Sequence, residues 1–222
     1  IFTEIFASGI LIVGSYIFVR RYFEKKERAD LHLSMIFGSY TLFVIGAVVS
    51  QMMFNIGASL SYLMLLQKTL YLFILICGFF VSRFAFEKFK YKLPWITAIF
   101  AVFLTYIAYL LLTSYVNLAY RFDVIEPAIE SPAITPIRIF WVGIWLFLGV
   151  NYLVRSLRVS DQKEKNLDYL CGFSAIMVSA AYVLTFFYIT LGESAYLLIS
   201  WLATLFAFSG FLLGNIILPT DD

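Results

Sequence analysis

Seven apolar runs, each close to the length of a membrane-spanning helix, follow one another along this chain. A helix needs about 20 apolar residues to cross the hydrocarbon core of a bilayer. The runs cover approximately residues 1–19, 32–53, 61–82, 94–114, 137–154, 169–190 and 195–217. The sequence therefore predicts an all-α integral membrane protein, a single domain built as a bundle of seven transmembrane helices.

Composition excludes the main soluble alternatives. Hydrophobic residues make up 62% of the 222 residues and charged residues 14%, whereas a soluble domain has roughly 45–50% and about 25%. A soluble domain of this size has too little interior to hide that much apolar surface. A transmembrane barrel would need short segments of alternating polarity, and these runs are apolar on all faces.

The basic residues predict the orientation of the helices. Three connecting loops hold 13 of the 16 Lys and Arg residues: 20–31, 83–93 and 155–168. Arg121 and Arg138 lie on the opposite side, and Lys68 lies within a span. Cytoplasmic loops carry the excess of Lys and Arg, so we expect the N-terminus outside, the C-terminus in the cytoplasm, and the plasma membrane as the location.

One external connection, residues 115–136, is much longer than the others. It contains three prolines and three acidic residues: Pro127, Pro132, Pro136, Asp123, Glu126 and Glu130. Proline removes a backbone donor and restricts the residue before it, so much of this segment should not be helical. It is interpreted either as a lid or partner surface or as a simple tethered loop.

Two ionisable residues, Lys68 and Glu4, lie within predicted spans. A charge in hydrocarbon is costly and is by default a functional-site hypothesis. At the helical rise, Lys68 lies roughly 22 Å from Arg83, and Glu4 lies roughly 24 Å from Arg20. The two therefore share a depth in the outer third of the bilayer, and an ion pair between them requires only that the first and third helices touch.

Other polar and aromatic side chains fall at the same depth. The candidate ligand-binding residues are Lys68, Glu4, Gln67, Tyr106, Trp141, Tyr182, Thr185 and Trp201. Together they predict an outer-leaflet pocket for a small or lipidic ligand. The alternative is that the Tyr and Trp residues anchor the chain at the membrane interface while Lys68 snorkels to the headgroups or makes a structural pair.

The sequence gives no sign of a metal, a cofactor or an enzyme. Cys77 and Cys171 lie inside apolar runs and are interpreted as small buried hydrophobic residues. The single histidine, His32, rules out bis-histidine haem ligation by this chain alone, and GxSxG, HExxH and GxxxxGK[ST] motifs are absent. A net charge of +2 without a basic stripe argues against nucleic acid.

The last span carries small residues at helical spacing. They are Ala203, Ala207, Gly210 and Gly214. Small residues let helix backbones approach closely in lipid, where packing replaces the hydrophobic driving force. The stripe predicts either a contact within the chain or, less often in such proteins, a dimer interface.

The leading functional hypothesis is a sensor or receptor-like input domain. Ligand binding would shift helix packing and be relayed to a cytoplasmic partner or an appended effector domain. The chain starts at Ile1 without a methionine, and it is interpreted as part of a longer or processed chain. The alternatives are a transporter or channel with a continuous polar path, a structural or accessory subunit without a pocket, and an enzyme acting on lipid.

Overall fold

The computed structural model describes residues 2–91, 94–116, 118–121, 124–127, 132–191 and 194–217. Seven α-helices and one short β-hairpin follow one another in the order α1 (Phe2–Lys25), α2 (Arg28–Asn55), α3 (Leu60–Lys88), α4 (Pro94–Thr113), β1 (Leu118–Arg121), β2 (Val124–Pro127), α5 (Ile134–Ser156), α6 (Gln162–Leu191) and α7 (Ser194–Ile217).

Six helices, all except α4, are long and apolar enough to cross a membrane. Helix α4 is also apolar, but its stretch from Thr97 to Thr113 is shorter than the other six. The prediction of a helical, multi-pass membrane protein is therefore confirmed. Within the long connection between α4 and α5, the described residues form an antiparallel hairpin that pairs Leu118 with Pro127 and Arg121 with Val124.

Several helices continue beyond the apolar runs that predicted them. Helices α1 and α3 end at Lys25 and Lys88, whereas the runs end at residues 19 and 82. Arg, Lys and Glu are good helix formers, so a helix does not stop where its hydrophobicity stops. The two helices end where the backbone turns left-handed, at Lys26 (φ 61°) and Lys90 (φ 55°).

The end of α3 forms a Schellman motif, a pair of hydrogen bonds that closes a helix at its C-terminus. The Tyr91 N–H donates to the Phe86 carbonyl at 2.9 Å, and the Lys90 N–H donates to the Glu87 carbonyl at 3.1 Å. The ring of Tyr91 lies edge-on to the ring of Phe86, with 6.3 Å between their centroids. The motif therefore fixes Tyr91 against the last turns of α3.

The six long helices close into a ring, and α4 lies outside it. The sequential pairs α1–α2, α2–α3, α5–α6 and α6–α7 pack extensively, while α3 packs on α5 and α1 packs on α7. Helix α4 packs against α3 and only slightly against α5. The chain therefore bypasses α4 when it closes the bundle.

Aromatic rings fill the centre of the bundle. The ring of Tyr40 stacks between Trp141 at 5.5 Å and Phe208 at 4.5 Å. Trp145 meets Trp141 and Phe208 edge-on at 5.8 and 5.4 Å. Stacked and edge-to-face pairs at these distances are favourable beyond the area that they bury, and they join α2, α5 and α7.

The small-residue stripe of α7 packs against α6 within the chain. A Cβ added to Gly210 would meet the Ser174 side chain, and one added to Gly214 would meet Cys171. The absence of side chains at these glycines lets the two helices approach closely.

The bundle has two chemically different ends. The basic end contains the connections α1–α2, α3–α4 and α5–α6; these connections and the helix ends that adjoin them carry 13 of the 16 Lys and Arg residues. The hairpin end contains the connection α2–α3, the β-hairpin and the connection α6–α7.

Candidate functional site

An apolar cavity of about 430 Å³ lies between α3, α4 and α5. Its lining is mostly aromatic and consists of Phe86, Tyr91, Phe100, Phe140, Gly143, Ile144 and Phe147. Sites for small molecules are usually concave, mostly apolar and roughly 300–1,000 Å³ in volume. By size and lining, the space left by the loose packing of α4 is of that kind. We call it the aromatic cavity.

Helix α5 forms one wall of the aromatic cavity. Phe140, Gly143, Ile144 and Phe147 have the i, i+3, i+4, i+7 spacing that places side chains on one helical face. Gly143 is exposed, and a Cβ built on it would meet no atom within 4 Å. The missing side chain leaves the cavity open at this point.

Helices α3 and α4 form the facing wall. The ring centroid of Phe86 lies 6.1 Å from that of Phe100 and 6.2 Å from that of Phe147. Phe100 in turn lies 6.0 Å from Phe140. Phe86 is two residues from the end of α3, whereas Phe140 is only six residues from the start of α5, so the cavity extends from the basic end past the middle of the bundle.

Two polar contacts lie beside the cavity at the basic end. The Tyr91 hydroxyl donates to Asn151 Oδ1 at 2.6 Å and so joins the end of α3 to α5. Arg83 Nη1 donates to Thr97 Oγ1 at 3.4 Å and so joins α3 to α4. Of these four residues, Tyr91 itself lines the cavity, and Arg83 and Thr97 lie one helical turn from the lining residues Phe86 and Phe100.

The opposite face of α5 contacts α6 and α7. The Tyr152 hydroxyl donates to Asn215 Oδ1 at 3.2 Å. Arg155 Nη1 lies 3.2 Å from Asp168 Oδ1, and Asp168 is fully buried. Helix α5 therefore carries the cavity on one face and links to α6 and α7 at the basic end on the other.

A second buried charge lies where α1, α2 and α7 meet. The Asp30 side chain is fully buried, and its Oδ1 lies 3.3 Å from Arg21 Nη2. Arg21 Nη1 also donates to the backbone carbonyl of Asn215 at 3.0 Å. A cation near the end of a helix satisfies carbonyls that lack a partner in the helix.

Lys68, the residue on which the sequence hypothesis depends most, contacts the end of α4. Its Nζ donates to the carbonyls of Leu112 at 3.0 Å and Ser114 at 2.7 Å. Helix α4 ends at Thr113, so these carbonyls belong to its last turn and to the residue that follows. Lys68 thereby caps the C-terminus of a neighbouring helix.

Gln67 and Glu4 are predicted to lie beside Lys68, and the structure describes the side chain of Gln67 alone. Gln67 is buried and donates to Ser50 Oγ on α2 at 3.0 Å, so it faces away from the end of α4. Glu4 belongs to α1, but its side chain lies outside the described residues. Its pairing with Lys68 stays a prediction.

The remaining predicted residues are distributed over the hairpin half of the bundle. Tyr106 on α4 is 58% exposed, whereas Trp141 on α5 is buried in the core. Tyr182 is partly buried with its ring 6.3 Å from Trp141, and Trp201 packs partly buried against the core. Thr185 Oγ1 lies 2.7 Å from Ser200 Oγ, joining α6 to α7. These contacts are made by separate helix pairs.

The aromatic cavity was not predicted from the sequence, because the candidate site was inferred from polar groups at one depth of the helices. The signal present in the sequence is the spacing of Phe140, Gly143 and Phe147, a helical face with a gap between two rings. By sequence, Arg138 counts among the charges at the ends of the spans. Arg138 is buried, and its Nη2 donates to the Tyr71 hydroxyl at 3.2 Å.

The part of the chain that the structure describes contains no group of His, Cys, Asp and Glu able to hold a metal ion. Cys77 and Cys171 are both buried and free. Comparison with known proteins finds no matching protein family, no matching curated relative and no matching solved structure.

Proposed function

We propose that this chain is a seven-helix membrane sensor or receptor-like domain that binds a lipid-like ligand in the aromatic cavity. The observation that carries the proposal is the cavity itself, about 430 Å³ between α3, α4 and α5 and lined mainly by aromatic rings. Its output would go to a partner protein or an attached domain at the basic end.

Access to the cavity favours a ligand that arrives through the bilayer. The opening at Gly143 lies 13 residues before the end of α5 at Ser156, or roughly 20 Å along the helix. This depth is within a hydrocarbon core about 30 Å thick. A water-soluble ligand would have to cross that region, whereas an amphiphile is already there.

The orientation proposed from the sequence puts the basic end in the cytoplasm and the N-terminus outside, in the plasma membrane. It is supported by the 13 basic residues at one end and the positive-inside rule. Helix α4 acts as the seventh span in this proposal, because its 20 residues extend over roughly 30 Å.

Helix α5 is the proposed relay. A ligand between α4 and α5 would press on Phe140 and Phe147, while Tyr152 and Arg155 on the same helix hold α7 and α6. Signalling requires two packing states that bind the ligand with different affinity. Rotation or sliding of α5 would distinguish two such states at the basic end.

The packed centre makes a transporter or channel the weaker candidate. Tyr40, Trp141, Trp145 and Phe208 fill the middle of the bundle with contacting rings. A transport path would need polar groups or water along that axis. Flux of small solutes into proteoliposomes would contradict the sensor proposal if it depended on this chain.

Filling the cavity tests whether it is the binding site. The probe is the uncharged methyl ester of cis-parinaric acid, a fluorescent polyene that accepts energy from tryptophan. In Gly143→Leu the new side chain enters open space, so we expect a folded protein that loses saturable energy transfer. The control is Gly9→Leu on α1, where a Cβ also meets no atom within 4 Å and binding should persist. Equal binding in both variants would remove the cavity from the proposal.

The relay is tested by the reactivity of Cys171. Its thiol is buried between α6 and α7, with Asn215 Nδ2 3.5 Å from the sulfur. In a Cys77→Ala background we expect saturating methyl ester to change the rate of N-ethylmaleimide labelling severalfold, because α5 is linked to Asn215 through Tyr152. The Gly143→Leu variant should show no such change. Identical rates with and without ligand in the background protein would contradict sensing.

A further inference from the structure

Hydrocarbon alone cannot explain selective binding in this cavity. Lipid tails are as apolar as the side chains that they contact, so a chain moving from the bilayer into an apolar cavity gains little from the hydrophobic effect. Selectivity has to come from polar groups at the border of the cavity. Tyr91 lines the cavity and bonds to Asn151, while Arg83 bonds to Thr97 one turn away from the lining residues Phe86 and Phe100.

We propose that the aromatic cavity binds a long-chain fatty acid and that Arg83 binds its carboxylate; this inference rests on the proposed function. Arg83 lies one turn before Phe86 on α3, and Thr97 lies one turn before Phe100 on α4. Arg83 therefore lies one helical turn from Phe86, and its guanidinium contacts the residue that lies one turn from Phe100.

The hydrogen bonds of Arg83 are long, so a ligand carboxylate could replace them. Its side chain is 30% exposed, and its bonds to Thr97 Oγ1 and Glu87 Oε1 are both 3.4 Å. Charge-assisted hydrogen bonds are normally about 2.7–2.9 Å, and a guanidinium matches a carboxylate with two parallel bonds. A carboxylate at this point would replace two long contacts with a shorter bidentate pair.

The surrounding charge favours an anion. The segment 83–93 contains four basic residues and one acidic residue, Glu87. Glu87 is also shared, because its Oε1 lies 3.1 Å from His32 Nε2 on α2 as well as 3.4 Å from Arg83 Nη2. By sequence, the segment that contains Arg83 therefore carries a net positive charge.

The dimensions favour a single chain with a small headgroup. From Phe140 to Phe147 the wall of α5 extends over roughly 10 Å, and the cavity holds about 430 Å³. The Tyr91–Asn151 bond at 2.6 Å closes the side between α3 and α5, which leaves the border at Arg83 for the headgroup. A phospholipid brings two chains, and a phosphate monoester would bring a second negative charge close to Glu87.

The test compares cis-parinaric acid with its methyl ester on the purified full chain. We expect the acid to bind more tightly than the ester, and Arg83→Gln to weaken the acid about tenfold, as loss of a charge-assisted pair predicts. The ester should bind Arg83→Gln as it binds the original protein. Palmitate should displace the acid far better than hexadecanol or lysophosphatidic acid does.

The matched control is Arg20→Gln. Arg20 pairs with Glu24 four residues later, as Arg83 pairs with Glu87, but it is exposed on α1 away from the cavity. Binding of the acid should not change in this variant. Equal affinity for acid and ester, or an unchanged affinity in Arg83→Gln, would overturn the fatty acid assignment while the cavity remained the binding site. Whether the cavity is the binding site at all is tested separately with Gly143→Leu.

Discussion

Lys68 shows how one cation in a span is used to complete a neighbouring helix. The last four carbonyls of any helix lack a partner within it, and hydrocarbon offers no water in their place. The ammonium group of Lys68 donates to two carbonyls at the end of α4. Arg21 does the same for the Asn215 carbonyl near the end of α7. In both cases a donor from another helix satisfies the terminus.

Replacing Lys68 with leucine should therefore loosen the end of α4. We expect Lys68→Leu to fold, to lose about 1.5–3 kcal/mol of stability through the missing charge-assisted bonds, and to expose the last turn of α4. Hydrogen exchange of the amides between residues 109 and 116 should become faster, since exchange reports local opening.

Gln67→Leu is the control for Lys68→Leu. It removes a neighbouring polar side chain that bonds to Ser50 on α2, so exchange at the end of α4 should stay as it was. If Lys68→Leu leaves this exchange unchanged, the capping role of Lys68 is wrong. The ligand role predicted from the sequence for Lys68 would require a loss of binding that exceeds the effect on α4.

At the scale of elements, the end of α3 determines the shape of the aromatic cavity. The Schellman motif turns the chain at Lys90 and brings Tyr91 against Phe86, and both rings line the cavity. The turning position usually holds glycine, because a left-handed backbone crowds a Cβ. Here it holds lysine with φ 55°, so the turn is made against a local preference.

Lys90→Gly should stabilise the protein. The left-handed conformation costs a non-glycine residue roughly 1–2 kcal/mol, and the greater freedom of glycine in the unfolded chain offsets part of the gain, which leaves about 0.5–1 kcal/mol. The midpoint of thermal unfolding in detergent should rise by a few degrees.

Lys88→Gly, two residues earlier in the chain, should change the stability in the opposite direction. Lys88 is the last helical residue of α3, and glycine within a helix costs about 1 kcal/mol relative to good helix formers, so the unfolding midpoint should fall. A lower midpoint in Lys90→Gly would show that the side chain of Lys90 contributes more than its backbone strain removes.

At the scale of the whole molecule, the bundle closes where α1 meets α7, and Arg21 joins both to α2. Arg21→Met leaves the fully buried carboxylate of Asp30 without this partner and the Asn215 carbonyl without its donor. Removing one partner of a buried ion pair costs roughly 3–5 kcal/mol. We expect a large loss of thermal stability in detergent.

The neighbouring residue supplies the comparison for Arg21→Met. Arg20 pairs with Glu24, but both side chains are mostly exposed, at 68% and 56%. Exposed pairs contribute about 0–1 kcal/mol, so Arg20→Met should leave the unfolding midpoint nearly unchanged. Similar losses of thermal stability in Arg20→Met and Arg21→Met would mean that burial of Asp30 does not determine how stably α1 and α7 close the bundle.

The sequence predicted the helical membrane class and the seven helices because apolar run length follows directly from the thickness of a bilayer. It did not predict that α3 packs on α5 and leaves α4 outside, since hydropathy carries no information on which helices are neighbours. Lys68 contacts the end of α4, and its depth along a span does not distinguish a ligand site from a helix terminus, so its ligand role stays a prediction. To predict the cavity, one would have to know that its two walls lie opposite each other, with Phe86 on α3 and Phe140 on α5.

The bond between Lys68 and α4 also has a consequence for biosynthesis. Lys68 precedes Leu112 by 44 residues, so α3 and its ammonium group leave the ribosome before the end of α4 does. The carbonyls of α4 can therefore meet their donor before α5, α6 or α7 has been synthesised. Helices α3 and α4 can insert as a pair whose polar groups are already satisfied, and the ring of long helices can close beside them afterwards.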